Sequence, residues 1–295
     1  MRETEWPTLG LLGGCYGLWL AVTAFHSEFG YWLAVPLLML FLAQFSSLQH
    51  EALHGHPFRS AGWNELLVSP ALGPWLPYRC FRELHLKHHR VPTLTDPYDD
   101  PESFYLPATG WRLVGSWMGA VLRFNNTLLG RLLIGPALAI AGFLVGQLRA
   151  LGRGDRRAWV AWSLHLLGLA PVVAWLWWTG FAALPYAIAA YGAVSLLMIR
   201  TYLEHQAADV EEARTVIIER AGLFSLLFLN NNLHALHHDR PSIAWYKLPG
   251  IYAAERQRYL ARIGDYRYAS YRDVFRRYFL RPKEPVLWPL ERQPG

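Results

Sequence analysis

Cysteine is almost missing from this chain: Cys15 and Cys80 are the only two among 295 residues. Two cysteines cannot build a four-cysteine iron–sulfur centre and supply no disulfide framework. Cys15 lies in an apolar run, where packing is its expected role. Charge is also scarce, at 17% of residues, well below the share usual for a soluble domain. A glycine-rich phosphate loop, a nucleophile elbow, a CxxC pair and internal repeats are all lacking, as is anything resembling a fused haem or flavin module. Their lack removes the sequence support for nucleotide binding, serine-nucleophile hydrolysis and thiol redox chemistry.

What is present is apolar. Hydrophobic residues make up 53% of the chain and tryptophan alone occurs 14 times, a composition that points to a bilayer as solvent. Four uncharged stretches, Leu9 to Phe25, Tyr31 to Ser47, Ala158 to Trp178 and Ala182 to Ile199, approach the ~20 residues needed to cross a hydrocarbon core. A second apolar stretch follows the first after a very short break with no small-residue cleavage site, so the first is expected to remain as a helix rather than be removed as a signal peptide. The densest basic loop, Arg149 to Arg157, belongs on the cytoplasmic side, and the uncharged break at Thr179 to Ala182 on the far side. The net charge of +6 then reflects cytoplasmic faces and anionic lipid rather than nucleic acid, for which no basic stripe with interleaved aromatics exists.

The twelve histidines are not scattered. Nine fall in three runs: His50-x-x-x-His54-x-His56, His85-x-x-His88-His89 and His234-x-x-His237-His238. On a helix, residues three or four apart share a face, so each run can offer imidazoles to one ion, while adjacent histidines point about 100° apart and reach two neighbouring ions. A dinuclear centre follows, and imidazole by itself leaves zinc, copper, iron and nickel open. His56 turns away from the His50/His54 pair and stays undecided as a ligand. His26 and His165 are expected to be hydrogen-bonding residues. If the apolar stretch Arg131 to Leu151 crossed fully, the second and third runs would lie on opposite faces. It is therefore expected to return or lie flat, which leaves four spans.

The expected fold is an all-α integral membrane protein. Four transmembrane helices form two hairpins, and a cytoplasmic helical cap holds the histidine-rich dimetal site. One catalytic domain covers 1–295, with cytoplasmic regions at about 50–157 and 200–295 and both termini cytoplasmic. Gly62 to Tyr78 and Trp111 to Leu129 suit interfacial elements, and the basic tail from Tyr266 onward looks soluble.

The order HxxxH, HxxHH, apolar hairpin, HxxHH resembles the membrane fatty-acid desaturase and hydroxylase superfamily over about Phe41 to Pro249. The text at Gln49 to Pro57, Leu94 to Pro97, Asp99 to Glu102 and Asn230 to Leu233 resembles bacterial acyl-lipid desaturase-like members in particular. That resemblance implies two non-haem iron ions that use O₂ as co-substrate against an unactivated C–H bond of a lipid chain. It also implies an external electron carrier such as ferredoxin with its reductase, and residence in the cell inner membrane. By motif position it implies His50, His54, His85, His88, His89, His234, His237 and His238 as ligands. The extra ligand that relatives place near the end of the last span falls on His205, and Asn231 or Asn232 is either near the metals or a helix cap before Leu233.

Outer carboxylates are needed to accept the second N–H of each ring. Glu51, Glu83, Glu204 and Asp239 each adjoin a box histidine and are the candidates; Asp96, Asp99 and Asp100 form an acidic loop that either docks a partner or caps helices. Desaturation leads the readings. Hydroxylation, carotenoid ring oxidation and oxidative decarboxylation share its opening hydrogen abstraction. A membrane metal transporter would need polar or histidine ligands at mid-span, where His165 is the only histidine, and a zinc hydrolase has no further support.

Overall fold

The computed structural model describes residues 4–290 and is mostly helical. Each expected span coincides to within one residue with part of one long helix. α1, Trp6–Ala24, opens with a proline in its first turn, where the missing N–H does no harm. α2, Tyr31–Leu53, carries a buried face of Ala34, Leu38, Leu42, Phe45 and Leu48 at helical spacing and delivers His50 in its last turn. α3 follows at Tyr78–His88 and α4 at Gly135–Gly152. α5, Arg156–Thr179, is capped at its start by the Asp155 carboxylate, which accepts from the backbone N–H of Arg157 and Ala158; it ends on Gly180 in the left-handed region. α6 is Ala183–Glu204.

Among the described residues five helices, α1, α2, α4, α5 and α6, are long and apolar enough to cross a membrane. α4 overlaps the Arg131 to Leu151 stretch that was expected not to cross. α5 turns Leu167, Val173, Trp177 and Trp178 outward with more than half of each exposed, as a lipid-facing helix does.

The chain divides into two compact units, 1–83 with 136–197 and 227–229, and 84–135 with 198–226 and 230–295. In the first, polar groups inside the helix packing find partners, as low dielectric demands. Trp19 donates to the Tyr186 hydroxyl at 3.1 Å, which donates to the Leu72 carbonyl at 2.7 Å; Trp175 donates to Thr23 at 2.8 Å. Where the Ser69 to Ala71 turn meets α5, Ala71 N–H donates to the Gly168 carbonyl, and a Cβ on Gly168 would stand 2.0 Å from the Ser69 carbonyl oxygen.

The second unit departs from the all-α expectation. Ile217–Arg220 (β1) pairs in parallel with Arg267–Ser270 (β2), Ile217 facing Arg267 and Ile218 facing Tyr268. Between them in sequence run α7, His234–Asp239, and α8, Leu248–Arg262. Ile217, Leu233, Leu236, Leu248, Tyr252 and Tyr259 form the core. Backbone bonds from Ile218 N–H to Asn232 and from Ala235 N–H to Val216 moor the entry to α7 against β1. That mooring is what places the third histidine run.

Gly168→Ala is expected to destabilise the protein by about 1–3 kcal/mol through overpacking against backbone. Gly17→Ala, which meets open space, should be neutral or slightly stabilising. Thermal unfolding of the two variants in detergent checks the difference.

Candidate metal centre

Two histidine sets converge in the second unit. The last turn of α3 carries His85 and His88, and His89 follows at its end, its N–H bonded to the His85 carbonyl. α7 carries His234, His237 and His238. His205 is the first residue past α6, held in a bridge with Thr215. His88, His205, His234 and His238 offer donor atoms within 4.8 Å of one another, and so do His85, His89 and His237. In the first unit, the rings of His50 and His54 lie 4.8 Å apart where α2 ends, His54 being the residue that terminates the helix.

The nitrogen positions carry the chemistry. His205 Nε2 stands 2.9 Å from His88 Nε2 and 3.0 Å from His234 Nε2; His89 Nε2 stands 3.0 Å from His85 Nε2 and 3.2 Å from His237 Nε2. Four of the opposite nitrogens are committed elsewhere. His88 Nδ1 meets Asp100 at 2.8 Å, His85 Nδ1 meets Glu102 at 3.0 Å, His234 Nδ1 meets the Asn231 side-chain oxygen at 2.9 Å, and His205 Nδ1 faces the Arg214 carbonyl at 3.3 Å. A neutral imidazole has one N–H. Once Nδ1–H donates outward, the inward Nε2 is a bare lone pair. Lone pairs packed this closely repel unless a cation lies among them.

Protonation does not resolve the convergence. Burial, reinforced by neighbouring imidazoles, pushes His205, His234 and His238 well below the usual histidine range and His89 down to about 3. Burial also opposes charge on His88, but Asp100 and Glu102 outweigh it and raise that group. One proton on His88 bridges its contact with His205 and leaves the His205–His234 contact bare. Nitrogens about 2.1 Å from a shared ion and at right angles to one another stand about 3.0 Å apart, the spacing seen here. The residues therefore fit a bound metal at each set.

The outer shell differs in part from the sequence reading. Glu204 is buried where expected: it accepts from Asn231 Nδ2 at 3.1 Å, is 3.6 Å from His234 Nδ1 and pairs with Arg200 Nε at 2.8 Å. Asn231 thus works on His234, and Leu233, which begins α7, receives no side-chain cap. Asn232 donates to the Ile218 carbonyl. Glu51 is buried, Glu83 is exposed, and Asp239 is bound by Tyr259 at 2.7 Å and Arg262 at 2.9 Å. Asp100 and Glu102 stand 12 and 17 residues from the rings they hold, and only Asp100 was legible, as part of an acidic loop. Its turn brings them back, Asp100 also accepting the N–H of Thr95 and of Glu102.

The remaining histidines are occupied away from these sets. His56 Nδ1 meets the Glu5 carboxylate at 2.9 Å, His26 Nδ1 the Thr23 carbonyl at 2.9 Å and His165 Nε2 the Pro74 carbonyl at 3.0 Å. A cavity of about 390 Å³ borders His89 and His238. Its wall mixes Leu94, Tyr259 and Ile263 with Glu211, Glu212 and Arg262, so it suits water and small polar species better than an alkyl chain.

Among known families, the fatty acid desaturase profile matches residues 29–272. No curated protein matches the chain.

Asp100→Ala and Glu102→Ala are each expected to weaken metal retention by about 10- to 100-fold, the usual effect of removing a carboxylate behind a ligand histidine. Asp99→Ala, on the exposed side of the same loop, should bind like the parent. Metal analysis after anaerobic dialysis against graded chelator distinguishes the three.

Proposed function

The chain belongs to the fatty acid desaturase family, and from that premise we propose that it is a membrane-bound non-haem di-iron oxidoreductase that desaturates a lipid acyl chain at the expense of O₂. The supporting observation is the convergence of bare Nε2 lone pairs from three separate elements, each fixed by an outward bond from its Nδ1. His50 and His54, carried over by motif order, join His85, His88, His89, His205, His234, His237 and His238 as the ligand set. Iron bound there would supply what no side chain can, activation of O₂ for attack on an unactivated C–H bond. Asp100, Glu102, Asn231 and the Arg214 carbonyl hold the rings so that no reorganisation accompanies that chemistry. The electrons come from a separate carrier of the ferredoxin kind with its reductase. The substrate enters from the bilayer as a lipid or fatty-acyl chain.

We assign four spans, α1, α2, α5 and α6, with both termini and the histidines on the cytoplasmic side of the inner membrane. Contacts at the two ends of α4 support laying that helix along the interface. Near its C-terminus Gln147 accepts from Cys80 Sγ at 3.4 Å, and Cys80 is five residues before His85. At its N-terminus a Cβ on Gly135 would meet Met198 Sδ at 2.6 Å, and Met198 is seven residues before His205. On this reading α4 lies along the cytoplasmic interface and does not count as a span.

Protein purified without oxygen should carry two irons per chain, and a host expressing it should gain a double bond in its lipids by mass spectrometry. Two zincs, or unchanged lipids with metal uptake into vesicles, would defeat the proposal, while a new hydroxyl group would move it to hydroxylation. His88→Ala and His237→Ala should abolish the lipid change and lower bound iron, whereas His26→Ala should alter neither.

Cysteines placed at Arg90 and Arg240 should label from the same side of the membrane. Labelling from opposite sides would require a fifth span.

A further inference from the structure

α6 ends one residue before His205, and a helix end leaves its last carbonyls without intrahelical donors. Here three successive carbonyls find donors far along the chain. Leu203 O accepts from the Tyr266 hydroxyl at 2.5 Å, Glu204 O from Val216 N–H at 3.2 Å, and His205 O from the Lys283 ammonium at 2.6 Å. Tyr266 also lies 3.1 Å from His205 O, but its single proton serves the nearer Leu203 carbonyl, and the hydroxyl in turn accepts from Lys283 at 2.6 Å. The His205 carbonyl therefore depends on Lys283.

This lysine is not a surface residue. Its side chain is 4% exposed and lies against the rings of Tyr266, Phe104 and Tyr202, with the Glu284 carboxylate at 3.3 Å. A buried ammonium needs such compensation. The strand of chain that brings it is itself tied down: Lys283 N–H donates to the Asn126 carbonyl, Asn126 Nδ2 donates to the Glu284 carbonyl, and Leu106 bonds to Val286 and Trp288. All of it lies beyond residue 272, where the family match ends.

We propose that Lys283 is a positioning residue for His205: its ammonium closes the negative end of α6, and so fixes the backbone from which His205 aims Nε2 at His88 and His234. A cation at a helix C-terminus is favoured by the helix dipole, and the three bonds accepted by the Leu203, Glu204 and His205 carbonyls together hold the end of α6 in place. The inference rests on the dimetal reading of the site.

The test uses the full-length protein in detergent, stripped of metal and titrated with cobalt(II), whose visible absorption reports its ligand set. Lys283→Met should weaken one of two cobalt equivalents by about 10- to 100-fold, the scale of losing a ligand's support, and change that equivalent's absorption bands while leaving the other's intact. Lys283→Arg, which keeps charge and donors, should restore most of the affinity. Tyr266→Phe should fall between, and it decides the matter should Lys283→Met not accumulate as folded protein. Cobalt binding and spectra identical to the parent in folded Lys283→Met, or in Tyr266→Phe where the lysine variant is lost, would overturn the proposal. A parent protein that binds no cobalt would instead overturn the dimetal reading.

Discussion

The structure turns on the placement of protons on imidazole rings. A ring can offer a lone pair inward only if its one N–H is engaged outward, and seven histidines crowded into one unit cannot all leave that choice open. Asp100, Glu102, Asn231 and the Arg214 carbonyl make the choice for four of them. Burial then keeps most of the rings neutral. The acidic loop, the α6 terminus and the parallel strand pair all serve that arrangement, since each sets the backbone from which a ring or its acceptor projects.

The same scarcity of water organises the first unit, with a different outcome. Its hydroxyls and indoles bond to each other and to carbonyls across helices, as Trp19, Tyr186 and Leu72 do in series. Two of the histidines there do the same, His165 turning to the Pro74 carbonyl and His26 to that of Thr23. Hydrogen bonding thus separates His85, His88, His205 and His234, whose Nδ1 atoms are engaged outward and whose Nε2 atoms converge, from His26, His56 and His165, which bond elsewhere.

Most of this was legible along the chain where the signal is local. Uncharged runs of span length became α1, α2, α5 and α6, and the i,i+3 and i,i+4 histidine spacings became convergent rings, because helical geometry alone relates sequence distance to a shared face. His205 was placed only by resemblance, since a lone histidine after a span carries no periodic signal. Asp100 and Glu102 escaped because their bonds depend on a proline-bracketed turn, and adjacency favoured Asp239, which pairs with Tyr259 and Arg262. The β1 and β2 pairing joins segments about fifty residues apart, and four-residue strands show too little alternation to be recognised. Lys283 resembled any other base in a basic tail.

The outward acceptors are of three chemical kinds: carboxylates on His85 and His88, a carboxamide on His234 and a peptide carbonyl on His205. A carboxylate pulls the Nδ1 proton toward itself harder than a neutral oxygen does, which enriches the electron density at the far nitrogen. Rings that look alike in the sequence are thus graded in donor strength. A set made wholly of histidine becomes electronically lopsided, richer on the side of α3 and poorer on the side of α6 and α7.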